Sequence, residues 1–553
     1  MFISNMKKVL ILYIILFVGT AYSQVMPKEY KLDARKFTDK QLSQLDAVNN
    51  IYGKRLTAVP EPTPSIISNF ISDILVAGDT IWFGTGKGVS RTTNNGVSFQ
   101  NYHGLEPFGD YDVSGIAVYK NFVVVATAES RDVNGETEPA GTGIKVSSDF
   151  GTTWHAYPQP MESGTGRFDS LIYGSNVIPA LKVLTDIRNL SYDVLITRKN
   201  TTSDSIVIWI TSWAGALRKS TDYGATFTRV ILPPDDNSID SIYPGGNYTG
   251  SSSFAYDPVV NDNHKCFSIT AENDSTIYVG TALGINRSTD WGVSWKKNTT
   301  ANSGNRISGN FVVGLNVQRY AGHSIVWGAT NVGGGTGNQI NGFSYTTNSG
   351  TSWGKEVTDS AFSHGVGFKD SVVYAADDNG IWRSNFVPLN FNWAKPNVIY
   401  DEDIRDYIRS NSFYAVDSKG DSIWVGSGDG LARTRDLGNP WTEKWKIFRA
   451  YKPISSTQES YAAPNPFSPD DEVTRIFYKT GKTSASVTIR IFDFAMNPVR
   501  VLIQNAQRTT PEVVWTAWDG KRDDGMQVAN GVYFYRIEVD NDMTFWGKIL
   551  VLQ

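Results

Sequence analysis

An eight-residue pattern recurs along this chain and limits what it can fold into more than any other feature. It reads small hydroxyl, any residue, Asp or Asn, any residue, Gly, any residue, Ser or Thr, aromatic. The fullest copy is Ser147-Ser148-Asp149-Phe150-Gly151-Thr152-Thr153-Trp154, and others run from Ser220 to Phe227 and from Ser288 to Trp295. Asn replaces Asp at Thr92 to Phe99 and at Thr346 to Trp353, and a worn copy spans Thr434 to Trp441. The hydroxyl and the Asp or Asn side chain accept nearby backbone N–H groups, and Gly supplies the positive φ that a chain reversal needs. Burying the closing ring contributes roughly 2–3 kcal/mol. Each copy therefore marks a tight turn between antiparallel strands, and the repetition marks a repeat architecture.

Between the turns the chain reads as short strands. Fifty glycines and 12% aromatic residues, with few long apolar helical runs, agree with that reading. Seven units follow one another, each with a first strand, an alternating second strand, a loop, a third strand and an aromatic-led fourth. Their first strands open at Ile71, Val113, Tyr192, Cys266, Phe311, Ala361 and Phe413, and the last unit ends near Arg449. Seven four-stranded units in one run predict a seven-bladed β-propeller over residues 66–450. Residues 66–70 are placed to lend a strand to the seventh blade.

The turn pattern is similar to the Asp-box, or BNR, repeat of sialidases, sortilins, photosystem assembly factors and some glycoside hydrolases. In those families the box lies on the outer hairpin of a blade, away from the ligand face. The resemblance therefore implies structural roles for Asn94, Gly96, Asp149, Gly151, Trp154, Asp222, Gly224, Asp290, Gly292, Trp295, Asn348, Gly350 and Trp353, and no catalytic role. Blades four, six and seven also resemble the repeats of two-component-regulator propellers. The Arg-Ile-Pro segment of sialidases is absent from this sequence.

Lys7 and Lys8, the apolar run Val9 to Val18 and the small residues up to Ser23 read as a secretory signal peptide over residues 1–23. Residues 24–65 form a polar segment and linker, with a capping box at Thr38 to Gln41 opening a short helix. After a linker at 451–462, alternating strands predict a small antiparallel sandwich over residues 463–553. The expected fold is thus all-β, a propeller followed by an immunoglobulin-like β-sandwich. Ala463-Pro464-Asn465-Pro466-Phe467, Trp518-Asp519-Gly520 and Asn530-Gly531-Val532-Tyr533 make this tail similar to the immunoglobulin-like domain of flagellar hook-capping proteins and to type IX secretion sorting domains. That resemblance implies export to the cell surface or medium, with the secretion machinery as a partner. Asp519, Asp523 and Asp524 read as Asp-Gly turns ahead of a calcium site.

A formal charge of −4 without a basic tract argues against nucleic acid. Cys266 stands alone, the five histidines lack metal-ligand spacing, and neither a metal nor a cofactor is expected. On a propeller, the loops between second and third strands face the ligand. Those loops nominate Lys87, Arg131, Asp132, Glu136, Glu138, Trp213, Asp377, Asp378 and Asp429, with Trp213 as a stacking platform. The glycine run at 333–335 is not a phosphate loop. The sequence thus predicts a secreted or surface protein that binds a glycan or protein; a glycoside hydrolase using two of the listed carboxylates, or a structural adhesin, are the alternatives.

Overall fold

The structure is a computed structural model that describes residues 55–56, 59–104, 106–201, 203–248, 254–301, 306–386, 391–450, 460–470, 472–511 and 513–552. The expected signal peptide and the helix near residue 40 lie outside the described residues. The chain forms two compact units, one comprising residues up to 396 with 410–443, the other 397–409 with 444–553. No helix among the described residues is long and apolar enough to cross a membrane.

The first unit is a seven-bladed β-propeller of antiparallel sheets, the strands of each blade pairing in sequence order from the innermost outward. Its local logic is the recurrent turn. In the copy at 147–154, Asp149 Oδ1 accepts the Ser147 hydroxyl at 2.8 Å and the Thr153 N–H at 2.7 Å, and Oδ2 accepts the Thr153 hydroxyl at 2.6 Å. Ser147 Oγ in turn accepts the Gly151 N–H at 2.8 Å. The same set recurs around Asp222 and Asp290, and the Asn94 and Asn348 copies keep it with the amide donating to Ser98 and Ser352. Two consecutive residues are left-handed, such as Phe150 (φ 56°) with Gly151 (φ 85°), so the reversal needs more than the glycine. The closing aromatics Phe99, Trp154 and Trp295 are buried, whereas Phe227 and Trp353 are partly exposed.

The turns also join blades. Arg91 on the third strand of blade one donates to Phe150 O in the next blade's turn at 2.6 Å, while its guanidinium lies 5.1 Å above Trp82. Arg287 donates likewise to Ser349 O, and Arg433 of blade seven to Asn95 O of blade one, which closes the ring. In blade six Arg383 instead forms a buried ion pair of 2.6 Å with Asp436 of the worn turn.

The seven innermost strands are Ile71–Ala77, Asp112–Tyr119, Ser191–Asn200, Cys266–Asn273, Phe311–Tyr320, Ser363–Lys369 and Phe413–Lys419. Every one carries a β-bulge near its start, at Ser72, Ser114, Tyr192, Phe267, Val313, His364 and Tyr414. A bulge adds twist and turns one side chain out of the ladder. The strands converge so closely that a Cβ on Gly367 would stand 2.2 Å from Val416 O. Carboxylates bridge them: Asp73 accepts Ile116 N–H at 3.1 Å, Asp193 accepts Ile269 N–H at 2.9 Å, and Asp417 accepts Val76 N–H at 2.8 Å.

Several expectations are corrected. Residues 66–70 form no strand; Pro62–Thr63 instead adds a fifth strand to blade one, pairing with Phe99 and Gln100. Among the described residues blade six has three strands, and its expected fourth reduces to the Arg383–Ala394 bridge. The long loop at 158–190 contains a hairpin, Phe168–Tyr173 with Asn176–Leu181, whose inner face buries Ile178 and Ala180.

The second unit contains a three-stranded sheet, Ser460–Ala463, Thr474–Lys479 and Val513–Trp518, and a four-stranded one of Pro498–Arg508, Ala485–Phe492, Gly531–Val539 and Met543–Val551. Ile476, Ile489, Trp518 and Ile537 from both sheets share one buried core. The first of these strands starts within the expected linker, and Pro498–Arg508 lacks a regular alternation of apolar and polar residues because most of its positions are exposed or half-buried. Asp519 binds Arg500 at 2.6 Å, Asp523 accepts Val501 N–H and Asp524 accepts Met526 N–H, the arrangement of turn-closing residues. Residues 397–409 and 444–450 group with this unit, while Lys446–Phe448 is the fourth strand of blade seven, as the sequence predicts. Asp406 fixes them, pairing with Arg449 at 3.0 Å while both are over nine-tenths buried.

Two stability changes follow. Asp149→Ala strands three donors at the turn surface and costs about 1–2 kcal/mol in urea unfolding, whereas Asp149→Asn, the residue used at 94 and 348, costs under about 1 kcal/mol. Asp406→Ala leaves Arg449 buried without its counter-charge and costs about 3–5 kcal/mol, read as earlier unfolding of the full chain.

Candidate functional site

Each blade begins its inner strand at the face where its second strand turns into its third. Backbone bonds tie the two together: Gly86 N–H to Phe70 O at 3.0 Å, Ala282 N–H to Lys265 O at 3.0 Å, and Asp378 N–H to Phe362 O at 3.0 Å. The bulged residues therefore surround the mouth of the central tunnel. That tunnel is a cavity of about 520 Å³ lined by all seven inner strands.

The mouth is ringed by aromatic groups for most of its circumference. Ring centroids step from Tyr192 to Phe267 (5.1 Å), Phe311 (5.0 Å), Phe362 (6.0 Å), His364 (5.3 Å), Tyr414 (4.8 Å) and Phe70 (5.2 Å). Phe362, Tyr414 and Phe70 are partly exposed, whereas Tyr192, Phe267 and Phe311 are buried supports. In blades one and two the same positions are Ser72 and Ser114, whose hydroxyls donate to Val113 O at 2.7 Å and Ser191 O at 2.5 Å. The collar is thus an aromatic arc with a small-residue gap.

Of the residues nominated from sequence, Trp213 packs against this arc, with Lys265 Nζ 5.4 Å from its ring centre. Asp378 lies at the rim and accepts from His364 Nε2 at 2.7 Å. Asp377 points the other way: it is fully buried and accepts the Thr358 hydroxyl at 2.7 Å and Asn379 N–H at 2.9 Å. Burial raises its carboxyl above the ordinary range, although Thr358 and Asn379 oppose that shift. Burial also pushes the Asp378 carboxyl up, but the hydrogen bond and charge of His364 and the Ser412 hydroxyl prevail and hold it below its ordinary value.

Blade two departs from the expected loop. Its second and third strands run on as a long hairpin, Phe122–Val133 and Glu136–Ser147, turning at Asn134 and Gly135. Arg131 faces Glu138 across this hairpin, and both are engaged: Arg131 holds Asp186 at 2.9 Å and Glu129 at 2.6 Å, and Glu138 holds Arg188 at 2.7 Å. Asp132 accepts Gly135 N–H at 2.8 Å to close the turn, beside an exposed Glu136. Lys87 and Asp429 sit in tight turns whose N–H groups donate to Thr85 and Ser427 hydroxyls at 3.1 Å. The glycine-rich segment 331–339 folds around Gln339, which bonds Gly333 and Asn310. The arc was not among the residues nominated from sequence; the signal for it is the bulged residue near the start of each inner strand, aromatic or His in four of seven blades.

No protein-family model matches the sequence, and no curated protein matches it. Among solved structures, the chain is similar to an ancestral GH74 enzyme at 12% identity and a TM-score of 0.45, over 89% of this chain and 63% of that one. It is similar to YCF48 bound to D1 peptide at 11% identity and a TM-score of 0.38, over 68% of this chain and 97% of that one. A third similarity is to PorZ, a surface component of the type-IX secretion system of Porphyromonas gingivalis, at 12% identity and a TM-score of 0.27, over 87% and 75% of the two chains. These similarities are faint, and the blade assignment rests on this chain's own strand pairing.

Deeper in the tunnel wall, burial pushes the Asp417 carboxyl up to about 7, with Asp73 adding to the rise and the Val76 and Ser418 N–H groups opposing it. Because the folded value exceeds the unfolded one of about 3.9, the folded chain retains a proton that the unfolded chain has lost between those values. The stability this group contributes is fully present below about pH 4 and falls as pH rises to 7, by at most about 1.4 kcal/mol per pH unit. Urea titrations from pH 4 to 8 should show that slope reduced in Asp417→Asn, with both proteins parallel above pH 7.

Proposed function

We propose that this chain is a secreted or cell-surface binding protein whose propeller takes a glycan at the tunnel mouth. The observation that carries the reading is the arc of partly exposed aromatics, Phe362, Tyr414 and Phe70, beside the Asp378 carboxylate. Flat apolar faces with a few fixed polar groups suit the alternating apolar and hydroxyl surfaces of a pyranose ring. The basic and apolar start of the chain supports export, and the type IX tail resemblance supports passage to the surface through a dedicated secretion route with an immunoglobulin-like carboxy-terminal module.

The nominated carboxylates favour binding over hydrolysis. Hydrolysis of a glycosidic bond needs two carboxyl groups flanking that bond. Glu138 is clamped by Arg188, Asp132 closes its own turn and Asp377 is buried, which leaves Glu136 at the hairpin tip, Asp378 and Asp429 as the acids nearest to that requirement.

Probing a polysaccharide array with the purified full chain, followed by assay of the supernatants for released sugar, tests the reading. The expected result is binding without release, weakened at least tenfold in Tyr414→Ala, about 1.4 kcal/mol, and by less in Trp213→Ala. Sugar release abolished by a change at Glu136, Asp378 or Asp429 would establish the hydrolase instead. Silence towards every glycan would turn the search to protein ligands.

A further inference from the structure

The corner of the mouth between blades six and seven differs chemically from the rest of the arc. Asp378 is the only carboxylate among the nominated residues that is both exposed and held by a buried base. Its Oδ1 receives His364 Nε2 at 2.7 Å, and His364 is itself 7% exposed, its Nδ1 without a hydrogen-bond partner. The imidazole is wedged between Phe362 and Tyr414, 5.3 and 4.8 Å from their ring centres. His364 fixes this carboxylate and the Ser412 hydroxyl also bonds to it, yet the residue stays exposed at the rim beside two partly exposed aromatic rings. Carboxylate and aromatic faces together are the chemistry that selects an ammonium group, through charge pairing and attraction of the cation to the ring quadrupoles.

We propose that this corner is a subsite for a primary ammonium group, as carried by an amino sugar, with Asp378 as its counter-charge, Phe362 and Tyr414 as its walls and His364 as a positioning residue. The inference rests on the glycan-binding reading above and names the substituent that reading leaves open. The carboxylate is ionised at neutral pH, since His364 and Ser412 hold the Asp378 carboxyl below its ordinary range against the effect of burial. Tyr414 joins the two halves of the subsite, because its ring also contacts Phe70 at 5.2 Å and so ties the corner to blade one. An N-acetyl group at this position would meet the same walls without the charge and would leave Asp378 to water.

The test compares three hexasaccharides, of glucosamine, of N-acetylglucosamine and of glucose, by calorimetric titration into the full chain at pH 6.5 and low salt. The glucosamine hexamer should bind at least tenfold tighter than its acetylated counterpart, and 0.5 M salt should erode that preference. Asp378→Asn keeps the size of the side chain and should bring the glucosamine and N-acetylglucosamine hexamers to within twofold of each other. His364→Gln, which still offers a donor beneath Asp378, should retain part of it, and His364→Leu should lose it with an unchanged melting temperature. A preference below twofold, or one that survives in Asp378→Asn, overturns the inference alone when the other hexamers bind. If none of the three hexamers binds, the inference and the glycan-binding reading fall together.

Discussion

The carbonyl of the residue ahead of the turn glycine is the group on which the propeller depends. Phe150, Ser349 and Asn95 are all left-handed, with φ between 50° and 58°, and each presents its carbonyl to the preceding blade's arginine. The side-chain bonds of Asp149 or its equivalents hold that conformation, so one short motif both reverses the chain and supplies the acceptor for the preceding blade's arginine. The donors are fixed in turn by stacking: Arg91 lies over Trp82 and Arg433 over Trp424. Where the turn is worn, at 434–441, a carboxylate replaces the carbonyl and Arg383 pairs with Asp436, which also accepts the Tyr374 hydroxyl at 2.5 Å. The outer joints are therefore made of polar groups, buried enough that each needs its partner.

With the outer joints set, the inner strands have little room. Seven of them meet around one tunnel, and the close approach at Gly367 marks positions where no side chain fits between neighbours. The common bulge relieves this crowding at the mouth by turning one side chain per blade sideways. Because all seven bulges fall at equivalent positions, seven distant segments contribute one residue each to a single ring. The functional candidate is thus a by-product of the geometry that closes the propeller.

This explains which parts of the structure were legible in the sequence. The turns and the strands beside them were readable because their causes are local: a hydroxyl, a carboxylate or amide and a glycine at fixed spacing. The long hairpin of blade two had a local signal as well, Asn134 followed by Gly135 between alternating residues, but a loop reading of that stretch passed over it. Segment 397–409 had no such signal. Its place is set by the buried pairing of Asp406 with Arg449, 43 positions away, and nothing in the neighbourhood of Asp406 announces that partner. The collar was hidden for the same reason: no short window contains both His364 and Tyr414, and only ring closure brings Phe70 beside Tyr414.

Charge is a poor guide to this face because charged side chains satisfy one another first. Arg131, Glu138, Arg188 and Asp186 stand out in the sequence as polar loop residues, yet in the fold they spend their hydrogen-bonding capacity on each other. A group already paired gains little from a ligand, since it must exchange one good partner for another. The groups that stay open to solvent at the mouth are of another kind: partly exposed rings held at their edges by other rings, and an exposed carboxylate fixed by His364. On that argument the recognition surface lies where the aromatic arc meets Asp378, and the conspicuous ion pairs of blade two are its frame.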